Sequence, residues 1–244
     1  MDWILARWDE LEALVELPHW GAVGFGVVFG LFWTRLGPPL KLYLPWAAIA
    51  LIAGAALSPV VETWVQPELH SASQDLLTHI AGEEPFDGNS LLTGAYSAVV
   101  GEAAQEAVLL FGILLIIAAS GSRRDKAATV TVGILTALGY ALFESAGLLS
   151  PALDAGLSTR LALPLVRELF VVGAHIGAGM ILARAWIDGR FIRYFVIATL
   201  LQAAVAYEAV LQDSGWPVTW SLAYLSAVAT LAFFWGSSIA TGRS

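Results

Sequence analysis

Long apolar stretches separated by short polar segments follow one another along most of the chain. Each stretch approaches the roughly 20 residues that a helix needs to cross a bilayer. The predicted spans cover residues 21–35, 42–64, 94–119, 127–149, 161–183, 192–211 and 217–237. The first is short, but its Gly26 and Gly30 have the spacing that lets membrane helices approach closely. The pattern predicts an all-α, polytopic membrane protein with about seven transmembrane helices.

Two segments outside the spans have helical patterns of their own. Over residues 2–17, apolar side chains form one stripe with acidic side chains opposite, which predicts an amphipathic helix at the membrane interface or on the protein's own surface. In the connection over about 65–93, a capping box from Ser71 to Gln74 predicts a short helix over residues 75–81. We therefore divide the chain into an interfacial segment, 1–20, and a single transmembrane domain, 21–244.

The composition supports a membrane protein and excludes several kinds of site. Of the 244 residues, 58% are hydrophobic and 13% are charged, where a soluble domain averages about 25% charged residues. The chain has no cysteine, which excludes a disulfide framework, a thiolate nucleophile and a cysteine-based zinc site. The net charge of −8 argues against nucleic-acid binding, because nucleic acids require a basic surface.

The distribution of basic residues predicts the orientation in the bilayer. If the connections alternate between the two sides and the N-terminus lies outside, nine of the twelve basic residues lie inside. These nine are Arg35, Lys41, Arg123, Arg124, Lys126, Arg184, Arg190, Arg193 and Arg243. The positive-inside rule therefore predicts an N-terminus outside and a C-terminus inside. We expect an integral membrane protein of the cytoplasmic membrane, with the lipid bilayer as one partner.

Ionisable side chains interrupt several of the predicted spans. Six of them are Glu102, Glu106, Glu144, Glu168, Glu208 and His175. Such a side chain is costly in hydrocarbon and is kept mostly where it faces a cavity, a partner or a substrate. By the helical rise, four of them lie roughly 27, 21, 26 and 18 Å from the inner side; in that order they are Glu102, Glu106, Glu144 and His175. Their similar depth predicts a shared polar site in the outer half of the bilayer, with Glu208 joining or flanking it.

Several known intramembrane chemistries do not fit these residues. The His-Glu-x-x-His motif of zinc metalloproteases is absent. Every aspartate maps outside the predicted spans, which excludes an aspartyl dyad. The only lysines, Lys41 and Lys126, lie at inner ends, which excludes a retinal Schiff base. Ser90, after Gly88 and Asn89, does not continue the serine motif of a rhomboid-like protease.

Three motifs on consecutive spans resemble those of the PrsW family, within the clan of CAAX prenyl proteases and bacteriocin-processing proteases. Glu102 matches the second glutamate of the family's double-glutamate motif. Tyr140 and Glu144 match its aromatic-x-x-x-Glu motif, and His175 with Gly179 matches its histidine motif. The resemblance covers about residues 100–180 and includes Arg167, which lies upstream of the histidine.

The chain departs from the family pattern around Glu102. Gly101 occupies the place of the first glutamate, and no basic residue follows in the same turn. We expect Arg167 to supply the missing counter-charge to Glu102 from the fifth span. The departures leave open a divergent subfamily or a member that has lost catalysis.

The resemblance implies an intramembrane endopeptidase that hydrolyses a membrane-anchored protein through activated water. Glu102 would be the general base, and Glu106 would lie beside it on the same helix face. His175 and Glu144 would either hold a divalent metal such as zinc or act directly as acid and oxyanion donor. Supporting roles would fall to Arg167, Tyr140 and Glu208.

Two other classes of function remain open from the sequence. A proton- or ion-coupled transporter also uses intramembrane Glu and His side chains as relays, although no inverted repeat is evident here. A non-catalytic scaffold or membrane chaperone of the same fold is consistent with the departures around Gly101.

Overall fold

The computed structural model describes residues 20–81, 90–122, 125–154 and 162–242, and every regular element in these ranges is helical. The helices are α1 (Trp20–Leu36), α2 (Leu44–Val60), α3 (Gln66–Ala81), α4 (Ser90–Ser120), α5 (Lys126–Asp154), α6 (Ala162–Asp188), α7 (Phe191–Asp213) and α8 (Val218–Thr241), with a π-helical turn, Val61–Val65, between α2 and α3. A helix therefore lies over each of the seven predicted spans. The amphipathic helix predicted over residues 2–17 lies outside the described residues.

Within the described ranges, six helices are long and apolar enough to cross a membrane. They are Leu44–Asp75, Leu91–Ser120, Lys126–Pro151, Ala162–Asp188, Phe191–Asp213 and Val218–Thr241. Helix α1 is apolar but shorter, at 17 residues. The architecture is thus that of an all-α, polytopic membrane protein by length and composition, while the seventh crossing and the orientation stay predictions.

The connection expected over about 65–93 begins as helix rather than as loop. Helix α2 continues through the π turn into α3, so the chain is helical from residue 44 to residue 81. Pro59 lies inside α2 and has no backbone N–H to donate to the preceding turn. Two residues later the π turn begins, where the N–H of Gln66 bonds to the carbonyl of Val61. The wider turn lets the helix continue past the proline, and the predicted short helix starts nine residues earlier, at Gln66 instead of residue 75.

Helix α6 lies at the centre of the bundle and packs against α1, α5, α7 and α8. Nearly all of its residues from Val171 to Ala185 are buried. Small residues permit this packing: a Cβ atom on Gly179 would lie 2.4 Å from the carbonyl oxygen of Gly133 on α5. On the other side of α6, a Cβ on Gly177 would lie 2.6 Å from the Ala232 carbonyl oxygen on α8. The backbones of α5, α6 and α8 are therefore in direct contact.

Helix α1 is held to α6 through a buried indole. Trp33 Nε1 donates a hydrogen bond to the carbonyl oxygen of Leu169, at 2.6 Å. Its ring packs against Phe233 of α8, with the centroids 4.7 Å apart. The apolar and polar contacts of this one side chain attach α1 to both neighbouring helices.

The two ends of the bundle differ in charge. At one end α3, α5 and α7 finish and α4, α6 and α8 begin; the intramembrane carboxylates lie toward this end, which we call the carboxylate end. At the opposite end, the described basic residues are Arg35, Lys41, Lys126, Arg184, Arg190 and Arg193. The backbone N–H of Lys41 donates to Thr131 Oγ1 of α5 at 2.8 Å, which fastens the connection between α1 and α2 at the basic end.

Candidate functional site

The centre of the site is a contact between α5 and α6. His175 is 3% exposed, and its Nε2 lies 2.8 Å from Glu144 Oε2. The Glu144 side chain is 28% exposed, so one side of the pair reaches an accessible surface. Two residues that the sequence predicted to share a site are thus in direct contact, across helices held together by their glycines.

The imidazole ring of His175 is fixed at its other nitrogen by two amides. Nδ1 lies 2.8 Å from Gln202 Nε2 of α7 and 3.3 Å from Gln105 Nε2 of α4. With both amide nitrogens donating, Nδ1 is the acceptor, and the hydrogen of the neutral ring is on Nε2, on the side of Glu144. Sequence reasoning missed both glutamines, although an amide inside an apolar span at the depth of His175 was the signal.

Glu102 lies beside this pair and faces a cavity. It is within electrostatic range of His175 and Glu144, and its Oε2 is buried without a hydrogen-bond partner among the described residues. The cavity has a volume of about 420 Å³, and we call it the Glu102 cavity. Its polar lining consists of Glu62, Gln66, His70, Ser97 and Glu102. A volume of this size is in the range of ligand sites.

One wall of the Glu102 cavity comes from the helix that runs through the π turn. Glu62 accepts a hydrogen bond from Ser58 Oγ at 2.8 Å, and Gln66 Nε2 donates to the Gly101 carbonyl oxygen at 3.3 Å. Sequence reasoning missed Glu62, although it lies inside the predicted span, two residues before its end. The signal was a four-residue spacing, Glu62, Gln66 and His70, which places all three on one helix face.

Glu106 and Tyr140 are buried near the site and do not line the Glu102 cavity. Glu106 is 0% exposed, and neither of its carboxyl oxygens accepts a hydrogen bond of ordinary geometry from a described residue. The Tyr140 ring is buried with its centroid 5.6 Å from that of His175. The two ring planes are inclined at 46°, and the contact helps to hold the imidazole in place.

Arg167 of α6 forms a separate ionic cluster with Glu168 of the same helix and Glu208 of α7. Its Nη1 lies 2.8 Å from Glu168 Oε1, and its Nε lies 3.1 Å from Glu208 Oε2. Ser145 Oγ donates to Glu168 Oε2 at 2.7 Å, and Gln212 donates to Glu208. We expected Arg167 to be the counter-charge of Glu102; its ion pairs are instead with two other carboxylates. Glu208 therefore flanks the site through Arg167.

The arrangement does not fit a metal centre. Among the described residues, no group of three or more His, Cys, Asp or Glu side chains is placed to hold a metal ion. Both ring nitrogens of His175 are already engaged, by Glu144 and by the two amides. Of the two routes that the resemblance implied, the residues suit the one in which Glu144 and His175 act directly.

Comparison with known proteins finds no family model, no curated protein and no solved structure that matches the chain. A function for the chain is therefore inferred from the geometry of the site and from the three motifs.

Proposed function

We propose that the chain is an intramembrane protease that hydrolyses a membrane-anchored protein by water activation, without a metal. The observation that carries the proposal is the contact between His175 and Glu144, at 2.8 Å, beside a cavity into which Glu102 faces. A base, a hydrogen-bond donor and space for water and substrate are the parts that peptide hydrolysis requires.

In this proposal Glu102 is the general base. Water in the Glu102 cavity gives a proton to the Glu102 carboxylate, and its oxygen attacks the carbonyl carbon of the scissile peptide bond. The Nε2–H of His175, which lies 2.8 Å from Glu144 Oε2, shares its hydrogen with the carbonyl oxygen of the substrate as negative charge develops there. Glu102 then returns the proton to the departing amine nitrogen as the carbon–nitrogen bond breaks. No covalent enzyme intermediate is formed.

Gln105 and Gln202 have a positioning role. Their amides hold Nδ1 of His175, so the ring cannot turn away from Glu144. The amides come from α4 and α7 and hold one side of the imidazole, while Glu144 of α5 contacts the other side. Such support matters because misplacing a reacting group by about 1 Å can cost roughly 10²-fold in rate.

The test is cleavage of a membrane-anchored reporter library by the purified protein in lipid nanodiscs. We expect Glu102→Gln to lower the rate by roughly 10²- to 10⁴-fold, because an amide of equal volume cannot accept the proton. Glu68→Gln, which changes an exposed glutamate of α3, is the matched control and should retain the wild-type rate. A chelator should leave the wild-type rate unchanged. Full cleavage by Glu102→Gln would end the proposal, and loss of cleavage with chelator would end its metal-free form.

A second candidate, a proton-coupled transporter, is favoured by Glu106. A carboxyl group with 0% exposure and no hydrogen-bond partner in the described structure could carry a proton between neighbours. Proton flux into liposomes that is lost in Glu106→Gln, with no cleavage by the wild type, would favour the transporter. Absence of both proton flux and cleavage would favour a scaffold. For either enzyme or transporter we propose the cytoplasmic membrane as the location, with the carboxylate end outside.

A further inference from the structure

The Glu102 cavity contains more negative charge than the proposed hydrolysis uses. Besides Glu102, it is lined by Glu62, which lies on the opposite wall and comes from a different part of the chain. No lysine or arginine is among its described lining residues. Arg167 is occupied by its own two carboxylates. The carboxylates of this cavity therefore have no lysine or arginine partner among the described residues.

The position of Glu62 is set by local structure. It is the second residue of the π turn, Val61–Val65, and π turns are frequent at functional sites. Ser58 Oγ donates to Oε1 at 2.8 Å and fixes one side of the carboxylate. The other oxygen, Oε2, accepts no hydrogen bond from a described residue. The carboxylate is thus oriented with one oxygen available to the cavity.

The second observation that points to a ligand is on the facing wall. Glu102 Oε2 is buried and has no hydrogen-bond partner within the described residues. An unpaired buried carboxyl oxygen is costly, and the cost is relieved when a donor or a cation enters. Gln66 and Glu62 lie one helical turn apart on the other wall. Because Gln66 Nε2 donates to the Gly101 carbonyl, its Oε1 is left as a further acceptor.

The lining suits an elongated cation rather than a metal ion. No three-ligand group of the kind that holds a metal occurs among the described residues. Apolar surface from Pro67, Ala98 and Ala206 lines the same cavity. Lysine and arginine combine an apolar stem with a charged head that only donates hydrogen bonds. A cavity of about 420 Å³ with apolar walls and acceptor groups matches that combination.

We propose that Glu62 makes the Glu102 cavity a subsite for a lysine or arginine side chain of the membrane-anchored polypeptide, next to the bond to be cleaved. The inference builds on the proposed function, because it assigns the substrate residue that this same site selects. Glu62 would be a specificity residue that contacts the substrate, and Glu102 would remain the base. The basic residue would lie near the end of the substrate's membrane span, since the cavity lies toward the carboxylate end of the bundle.

The test measures binding, so it does not depend on cleavage. The Glu102→Gln protein in nanodiscs is titrated with fluorescent single-span peptides that differ at one residue near the end of the span: lysine, methionine or glutamate. We expect the lysine peptide to bind at least about tenfold more tightly than the methionine peptide, as a charge-assisted hydrogen bond allows. A second Glu62→Gln substitution should remove that preference, and Glu68→Gln should retain it. With Glu62→Lys the glutamate peptide should become the tightest.

Equal affinity for lysine and methionine peptides would overturn the inference. This comparison leaves Glu62 unchanged, so its result does not depend on whether a Glu62 variant folds. A lysine preference that persists in Glu62→Gln would overturn the role of Glu62. The two proposals fail separately. Lysine-selective binding without any cleavage by the wild type would remove the protease and leave the cationic subsite. Cleavage without a preference for lysine would support the protease and remove the cationic subsite.

Discussion

Replacing Gly179 by alanine tests whether close packing of α5 and α6 holds the site together. A Cβ at this position would lie 2.4 Å from the Gly133 carbonyl oxygen and 2.5 Å from the Ala137 Cβ. Ordinary contacts of a Cβ atom begin at 3.4 Å, so the two helices must separate by about 1 Å. Neither neighbouring atom can rotate away, because one is backbone and the other is a Cβ.

The cost follows from the same geometry. Overpacking a close contact typically costs about 1–3 kcal/mol of unfolding free energy. Glu144 is on α5 and His175 is on α6, so separating the helices also lengthens their 2.8 Å contact. If the proposed function holds, a displacement of about 1 Å should lower the cleavage rate by roughly 10²-fold. The matched control is Gly147→Ala in the neighbouring helix α5, where nothing lies within 4 Å of the new Cβ.

The assay is thermal unfolding in detergent micelles, followed by circular dichroism, together with reporter cleavage. Gly147→Ala should be neutral or more stable by roughly 0.5–1 kcal/mol, because alanine favours a helix over glycine. Gly179→Ala should unfold at a lower temperature than both the wild type and this control. Equal unfolding temperatures for the two variants would refute the packing argument. A less stable Gly179→Ala protein with an unchanged cleavage rate would refute its link to the site.

Two other predictions concern the ionic cluster and the orientation. Arg167→Met should lower the free energy of unfolding by about 3 kcal/mol, because it leaves the buried Glu168 and Glu208 without their cation. Adding Glu208→Gln should recover part of that loss in the same unfolding assay, and a loss below about 1 kcal/mol would mean that the cluster contributes little. For the orientation, the chain has no native cysteine, so single cysteines can be introduced at Asp125 and Ser214. An impermeant maleimide should label Ser214→Cys on intact cells and Asp125→Cys only after lysis; the opposite pattern would reverse the predicted topology.

The positions of the helices could be predicted from the sequence because hydropathy acts locally. Within a bilayer each backbone polar group must be paired inside its own helix, so a run of about 20 apolar residues already implies one. Depth along each helix follows from the fixed rise per residue. This reasoning brought Glu102, Glu144 and His175 to one level, where the structure places them as neighbours.

The partners of each side chain depended on the tertiary structure. Rotation of a helix about its axis and the distance to its neighbour are set by close contacts such as Gly133 with Gly179. Because of these contacts, Arg167 forms ion pairs with Glu168 and Glu208 rather than with Glu102. They also bring Gln202 onto the imidazole of His175 from a helix that no sequence motif connects to it.

The position of Glu62 depends both on the local sequence and on the tertiary structure. Its place within an apolar run was visible in the sequence, yet the π turn that carries it depends on how the chain continues after Pro59. Its position opposite Glu102 depends on the packing of that helix against α4. Local hydrogen bonding within each helix is determined by the sequence of that helix, whereas the cavity between two helices exists only when both are packed.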